Sequence, residues 1–361
     1  MKKFLTAAAA VLSIMSSGAQ TTQRLDASKL NEYGLIYTLP VTGLEIYVEV
    51  EHTVAKPGEF YNYARRYLNI TDAITEPSHT IKVKSVNVLT RGVADPSNRW
   101  LAQFKSGSTP FMILNGSGIP LALNTDEVAE IARPSLPEAV SPAPTALEVP
   151  AADQAVTREM TMSTSTARRA ELAAQRIFEL RQMRSDLISG QADNTPPDGK
   201  SLELALDNLQ AQEAALTAMF AGTISTYTTV DNVMYEPDTE DFSGAIIARV
   251  NSNGLTAGSD LTGEPLYMSM EVLERGKLPV NERGEEKRFP KGGVAYNIPG
   301  EARFTISFRG NTLYQAPVAL AQLGVTFGLD PGLFTDKKAP SMLQWDPSTG
   351  GIILLGPAGQ Q

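Results

Sequence analysis

Leu44-Glu45-Ile46-Tyr47-Val48-Glu49-Val50-Glu51 is the stretch from which the fold can be read. Leu44, Ile46, Val48 and Val50 fall on one side of an extended chain and Glu45, Glu49 and Glu51 on the other. This is the period-two pattern of a strand with one face in a core and one in water. Ile81-Lys82-Val83-Lys84 repeats it with the opposite charge. The Glu-faced and Lys-faced strands are therefore expected to be neighbours, since opposite charges facing across a pair stabilise it by roughly a few tenths of a kcal/mol. At Ser85 the phase shifts so that Val86 and Val88 alternate, which predicts a β-bulge. Between the two strands, after Pro57-Gly58, the residues Phe60, Tyr63, Ala64, Tyr67 and Leu68 recur at the spacing of one helical face. Residues 111–114, the turn Asn115-Gly116-Ser117-Gly118 and residues 119–123 read as strand, turn, strand.

The pattern breaks at residues 133–152, where Pro134, Pro137, Pro142, Pro144 and Pro150 block both helix and central strand, giving a semi-extended, mobile linker. In residues 166–221 two helical stripes follow. Ala170, Ala173, Ile177, Leu180 and Leu187 form the first, stopped by Gly190; Leu202, Ala205, Leu206, Leu209, Leu216, Met219 and Phe220 form the second, with Asp198 as cap and Gly222 as terminator. The short connection predicts an antiparallel hairpin. Five Arg against three acids in residues 168–186 face one Lys against three acids in residues 200–213, so the arms prefer each other. From Thr223 the period returns to two. Leu266, Met268, Met270 and Val272 make one strand face, and Phe304, Ile306 and Phe308 another before the turn signal Gly310-Asn311. A final hairpin carries Trp345 and a buried run Ile352-Ile353-Leu354-Leu355.

The predicted class is α+β: two strand-rich regions, each a sandwich or partly open barrel, with an antiparallel helical hairpin between them. The expected segments are a leader (1–19), an N-terminal strand-rich domain with one short helix (20–132), the linker (133–152), the hairpin (153–222) and a C-terminal strand-rich domain (223–361). Whether the late strands complete the first sheet is left open by the pattern.

Met1, Lys2 and Lys3 precede an apolar run of residues 4–15 and the small residues Ser16-Ser17-Gly18-Ala19. That is the plan of a secretory signal cut before Gln20, and the run is too short to anchor in a bilayer. The absence of Cys rules out lipidation there, and with it disulfides, thiolate metal sites and cysteine nucleophiles. Losing the leader takes the formal charge from −9 to −11. An acidic chain with no later apolar stretch of spanning length argues against nucleic acid and against an integral membrane segment. The expected location is outside the cytoplasm: periplasmic, or loosely associated with the outer membrane or cell surface.

Signatures of serine hydrolases, zincins, P-loops and dinucleotide folds are missing, and no cofactor is implied. His52 and His79, the two imidazoles of the chain, lie at strand ends that the pattern makes adjacent. With Glu51 or Asp95 they are a candidate metal or acid/base site, against the favoured plainer reading of two strand-end histidines. Glu236-Pro237-Asp238-Thr239-Glu240-Asp241 crowds four carboxylates together, making Asp238, Glu240 and Asp241 candidate metal ligands; a solvated acidic loop is the favoured alternative. Tyr61 and Trp100 are candidate sugar-stacking rings, with packing favoured for both.

Gly34-Leu35-Ile36-Tyr37-Thr38-Leu39-Pro40, Lys56-Pro57-Gly58-Glu59-Phe60-Tyr61, Arg168-Arg169-Ala170-Glu171, Pro197-Asp198-Gly199 and Asp346-Pro347-x-Thr349-Gly350 together resemble a family of exported Bacteroidota proteins, the domain-of-unknown-function family 4831. The resemblance covers most of the chain. It implies an exported, strand-rich protein and supplies no activity, ligand or catalytic residue. The expected function is a non-enzymatic binding, scaffold or assembly factor of the cell envelope, with the hairpin as a docking arm for an envelope protein. The alternative is a carbohydrate-active or metal-assisted hydrolase using loop Asp and Glu residues on a glycan.

Overall fold

The computed structural model describes residues 21–24, 35–103, 110–131, 134–194, 196, 199–336 and 340–358. The expected leader and the candidate cap Asp198 lie outside the described residues. The first half of the chain contains strands β1 (Thr21–Arg24), β2 (Leu35–Lys56), β3 (Ser78–Gln103), β4 (Met112–Leu114) and β5 (Pro120–Leu123), with the short helix α1 (Ala64–Leu68) between β2 and β3. Helices α2 (Pro150–Ala155), α3 (Arg158–Met162), α4 (Thr166–Ser189) and α5 (Gly199–Ala221) follow. The remainder comprises β6 (Thr223–Tyr235), β7 (Phe242–Asn251), β8 (Gly254–Ala257), β9 (Glu264–Glu274), β10 (Val294–Phe308), β11 (Asn311–Leu329), α6 (Gly332–Thr335), β12 (Ser341–Trp345) and β13 (Ile352–Pro357).

The strands form three antiparallel sheets, ordered β1-β3-β2-β6, β11-β10-β9-β7-β8 and β13-β12-β5-β4, in a strand-rich fold with a curled, half-barrel sheet. Leu44, Ile46, Val48 and Val50 are wholly buried against Met268, Phe304, Ile306 and Leu320 of the second sheet. On the other face of β2, Glu51 stands opposite Lys82 and Glu49 pairs with Lys84 at 3.0 Å. The register slips between Glu49 and Val50, leaving Lys84 as the extra residue of a bulge, and so both Val83 and Val86 turn inward.

The strand-rich segments 20–132 and 223–361 do not stand side by side. β6 pairs with β2 from Lys56↔Thr223 to Leu44↔Tyr235, and β12 pairs with β5 at Leu343↔Leu123 and Gln344↔Ala122. The cause lies in β2, a strand of 22 residues with two ladders to fill: β3 satisfies one and β6 the other. A buried polar network ties all three sheets at the turn between β12 and β13. Thr42 Oγ1 donates to the Ser348 carbonyl (2.9 Å) and accepts from the Ala321 amide (3.0 Å). Asn297 Nδ2 donates to the carbonyls of Pro40 (3.1 Å) and Thr349 (2.9 Å) while its Oδ1 accepts from Thr326.

Three expectations are corrected. Ile353, Leu354 and Leu355 are 45%, 39% and 42% exposed, because β13 is the outer strand of its sheet. The tight turn after Phe308 is Arg309-Gly310, both with positive φ, one residue earlier than the Gly-Asn signal. The proline segment is docked at two points: Val140 exchanges backbone hydrogen bonds with Thr228, and Pro150 opens α2, where its missing N–H costs nothing.

Helices α4 and α5 lie antiparallel, with Arg181 and Arg184 both on Glu213 at 2.7 and 2.9 Å. Ser165 caps α4, and Gly190 and Gly222 end the helices in the left-handed region. Their core (Ile177, Leu180, Leu216, Phe220) is shared with Phe60, Ala64, Ala155 and Met160. The arms are therefore buttressed at their base by α1, α2 and α3 rather than standing alone.

Candidate functional site

His52 and His79 meet. The β2–β3 register sets Val54 opposite His79 and His52 opposite Ile81, so the imidazoles are diagonal neighbours on one face. His52 Nδ1 lies 3.1 Å from His79 Nε2, and His52 Nε2 lies 3.0 Å from Thr229 Oγ1. Tyr227, directly opposite His52 on β6, stacks on it with centroids 4.6 Å apart and planes 7° from parallel. His52 is buried, whereas His79 is exposed at the sheet end. Burial lowers the basicity of His52, His79 adds to the effect, and Asp231 opposes it. The expected companions do not join the pair: Glu51 points to the opposite face of β2, and Asp95, near the far end of β3, is held in its own turn by Ser97. Thr229, Tyr227 and Asp231 take their place. They come from β6, far along the chain, which no local pattern connects to His52.

The other candidates are not brought together. Asp241 accepts a hydrogen bond from the Val272 amide at 2.7 Å, and Glu240 pairs with Arg275, so the acidic loop is stapled to β9 and to the residue just past its end. Among the described residues no group of three or more His, Asp or Glu is placed to hold a metal. Trp100 is 9% exposed, donates its indole N–H to Asn98 and stacks on Phe289 at 5.2 Å. It is a packed ring, as β3 turns that face toward β10 and β11. Tyr61 is half-buried in the 3-10 turn before α1.

The family described as a domain of unknown function (DUF4831) matches residues 33–353. The chain belongs to that family. No curated protein matches the chain, and no solved structure does. The matched DUF4831 segment takes in both histidines, all five helices from α1 to α5 and nearly all of the three sheets.

Two concavities of this DUF4831 chain were not visible as sites in the sequence. One, about 690 Å³, lies at the free end of the hairpin between Met183, Leu187, Leu204 and Leu209. Leu204 is 72% exposed there, Ile188 beyond it 69%, and Asp186 and Asp193 are the charged residues of its lining. Leu204 is an apolar residue that falls off the stripe of its helix, which is the signal that marks it in retrospect. The other, about 810 Å³, opens between β3 and β11 over the Asp346 turn and includes Glu45, Arg91, Tyr47 and Tyr314. Both of its carboxylates already serve the fold, Glu45 with Arg91 at 3.4 Å and Asp346 as acceptor from the Ser348 amide and hydroxyl. Among the described residues no helix is long and apolar enough to cross a membrane.

Proposed function

We propose that this chain is an exported cell-envelope protein that works by binding rather than by catalysis, with the free end of the α4–α5 hairpin as its docking arm. The supporting observation is the apolar end of that arm. Met183 and Leu204 open a groove between two helices that are already joined lower down by the pairs of Arg181 and Arg184 with Glu213. Among the described residues the groove lining bears Asp186 and Asp193 and no cation. Its occupant is therefore an amphipathic helix of an envelope protein, apolar on one face and flanked by Lys or Arg, the arrangement that fills an apolar groove and meets an acidic rim. Placement outside the cytoplasm is supported by the charged, apolar and small-residue order of residues 1–19. Of the acidic loop that motivated a hydrolase, Glu240 is paired with Arg275 and Asp241 accepts from the Val272 amide, which favours the binding reading.

A photocrosslinker placed at Leu204 in intact cells should trap one discrete protein, with the adduct mapping to a basic amphipathic helix. The same group at Leu261, 83% exposed on the turn between β8 and β9, should not. Adding Met183→Asp should abolish the adduct. Equal labelling at both positions, or none at Leu204, would overturn the docking role.

A further inference from the structure

The histidine pair has a geometry that the docking role leaves unused. We propose that His52 and His79 form a two-imidazole site for a borderline transition-metal ion, preferring Cu²⁺. The two nitrogens facing each other are 3.1 Å apart. Two imidazole nitrogens bound cis to one ion at about 2.05 Å stand about 2.9 Å apart in a square-planar site and about 3.3 Å apart in a tetrahedral one, so the observed separation falls between the two; the ion sits beside the line joining the nitrogens, and the rings turn to bring their lone pairs onto it.

The surroundings set the states this needs. Thr229 Oγ1, 3.0 Å from His52 Nε2, is positioned to accept the Nε2 hydrogen, which leaves the Nδ1 lone pair directed at His79; this is the outer-shell contact that orients a metal-bound histidine. Tyr227 holds the ring plane from one side. His79 supplies the solvent side, where water completes the coordination and the ion enters. The charge whose effect reaches His52 from β6 is the carboxylate of Asp231, and the chain is net negative at −9. Both favour a cation. With two protein ligands the site is weaker than a closed zinc site, and the ordinary affinity order places Cu²⁺ above Zn²⁺.

The test uses the full mature chain without a tag, titrated with CuCl₂ and separately with ZnCl₂ in a non-coordinating buffer. Expected are one Cu²⁺ per chain, nitrogen hyperfine structure from two imidazoles in its electron paramagnetic resonance spectrum, and weaker Zn²⁺ binding at the same site. His79→Asn, at an exposed position, should remain folded with at most a few degrees lost from the metal-free melting temperature, since its contact with His52 goes, and should weaken Cu²⁺ binding at least tenfold. No binding by the parent chain, or Cu²⁺ bound equally well by His79→Asn, as at a backbone or terminal site, would overturn the assignment.

Discussion

Tyr37 shows how a single residue carries load between sheets. Its ring is wholly buried beside Leu39, Trp100 and Ala295, and its hydroxyl oxygen accepts from the Ala295 amide at 2.8 Å. Burial pushes the phenol pKa well above its ordinary value of about 10, because the phenolate would have to sit out of water. In the unfolded chain the same phenol ionises normally. The stability linked to Tyr37 is therefore complete below about pH 10 and is lost as pH rises from there toward the folded value, at about 1.4 kcal/mol per pH unit. Urea denaturation at pH 9, 10 and 11 should show this slope in the parent chain and a flatter one in Tyr37→Phe. That variant should also lose about 1–3 kcal/mol at neutral pH, because the Ala295 N–H is left without its acceptor. An unchanged alkaline slope in Tyr37→Phe would remove Tyr37 as its source. Gly92 shows the same tightness from another side: a Cβ there would lie 1.9 Å from the Pro347 carbonyl oxygen, so β3 and the closing turn approach as closely as backbones can.

At the scale of elements, the bulge in β3 is an insertion and nothing more. Removing Lys84 leaves Val83 opposite Val50 and Ser85 opposite Glu49, the pairs that already flank it, and Ile81, Val83, Val86 and Val88 still alternate inward. A chain lacking Lys84 should fold with the same sheet, losing the ion pair with Glu49 and about 1 kcal/mol or less. A chain lacking Asn87 instead should be destabilised much more, since dissolving the bulge to restore the register would carry Ser85 into the core and Val86 out of it. Circular dichroism and thermal melts distinguish the two, and equal damage from both deletions would contradict this reading of the bulge. The bulge, the Glu–Lys strand pair and the α4–α5 arms were legible in sequence because each is written within a few dozen residues as a period, a charge match or a stop. The exposure of Ile353, Leu354 and Leu355 was not, because an apolar run on an outer strand looks the same as one in a core. Packing was the favoured reading of Trp100, but the ring it stacks on was not legible, since Phe289 arrives from a distant loop late in the chain. The meeting of His52 and His79 was legible in outline from strand adjacency; the Thr229 and Tyr227 side of the site was not, since β6 is brought in only by long-range pairing.

For the molecule as a whole, the decisive fact is that its main core is divided between distant halves of the chain. Leu44 to Val50 lie on β2, while Met268, Phe304 and Leu320 lie on β9, β10 and β11, and β2 itself needs β6 along its second edge. Neither half can bury its apolar face alone, and the half carrying β2 would present a long unpaired edge. Residues 20–132 and residues 223–361, expressed separately, should therefore be unfolded or aggregated, with poor amide dispersion in nuclear magnetic resonance spectra. The whole chain should unfold its sheets in one transition, reported alike by Trp100 and Trp345 fluorescence, since these rings lie in different sheets tied together through Asn297 and Thr42. A fragment that folds by itself, or two separated tryptophan transitions, would mean that the shared sheets are a docking of two independent units. Such coupling bears on the proposed docking role: a platform that unfolds as one unit would hold the base of α4 and α5 through Phe60 and Ala155 and leave the arm's free end to meet the proposed partner.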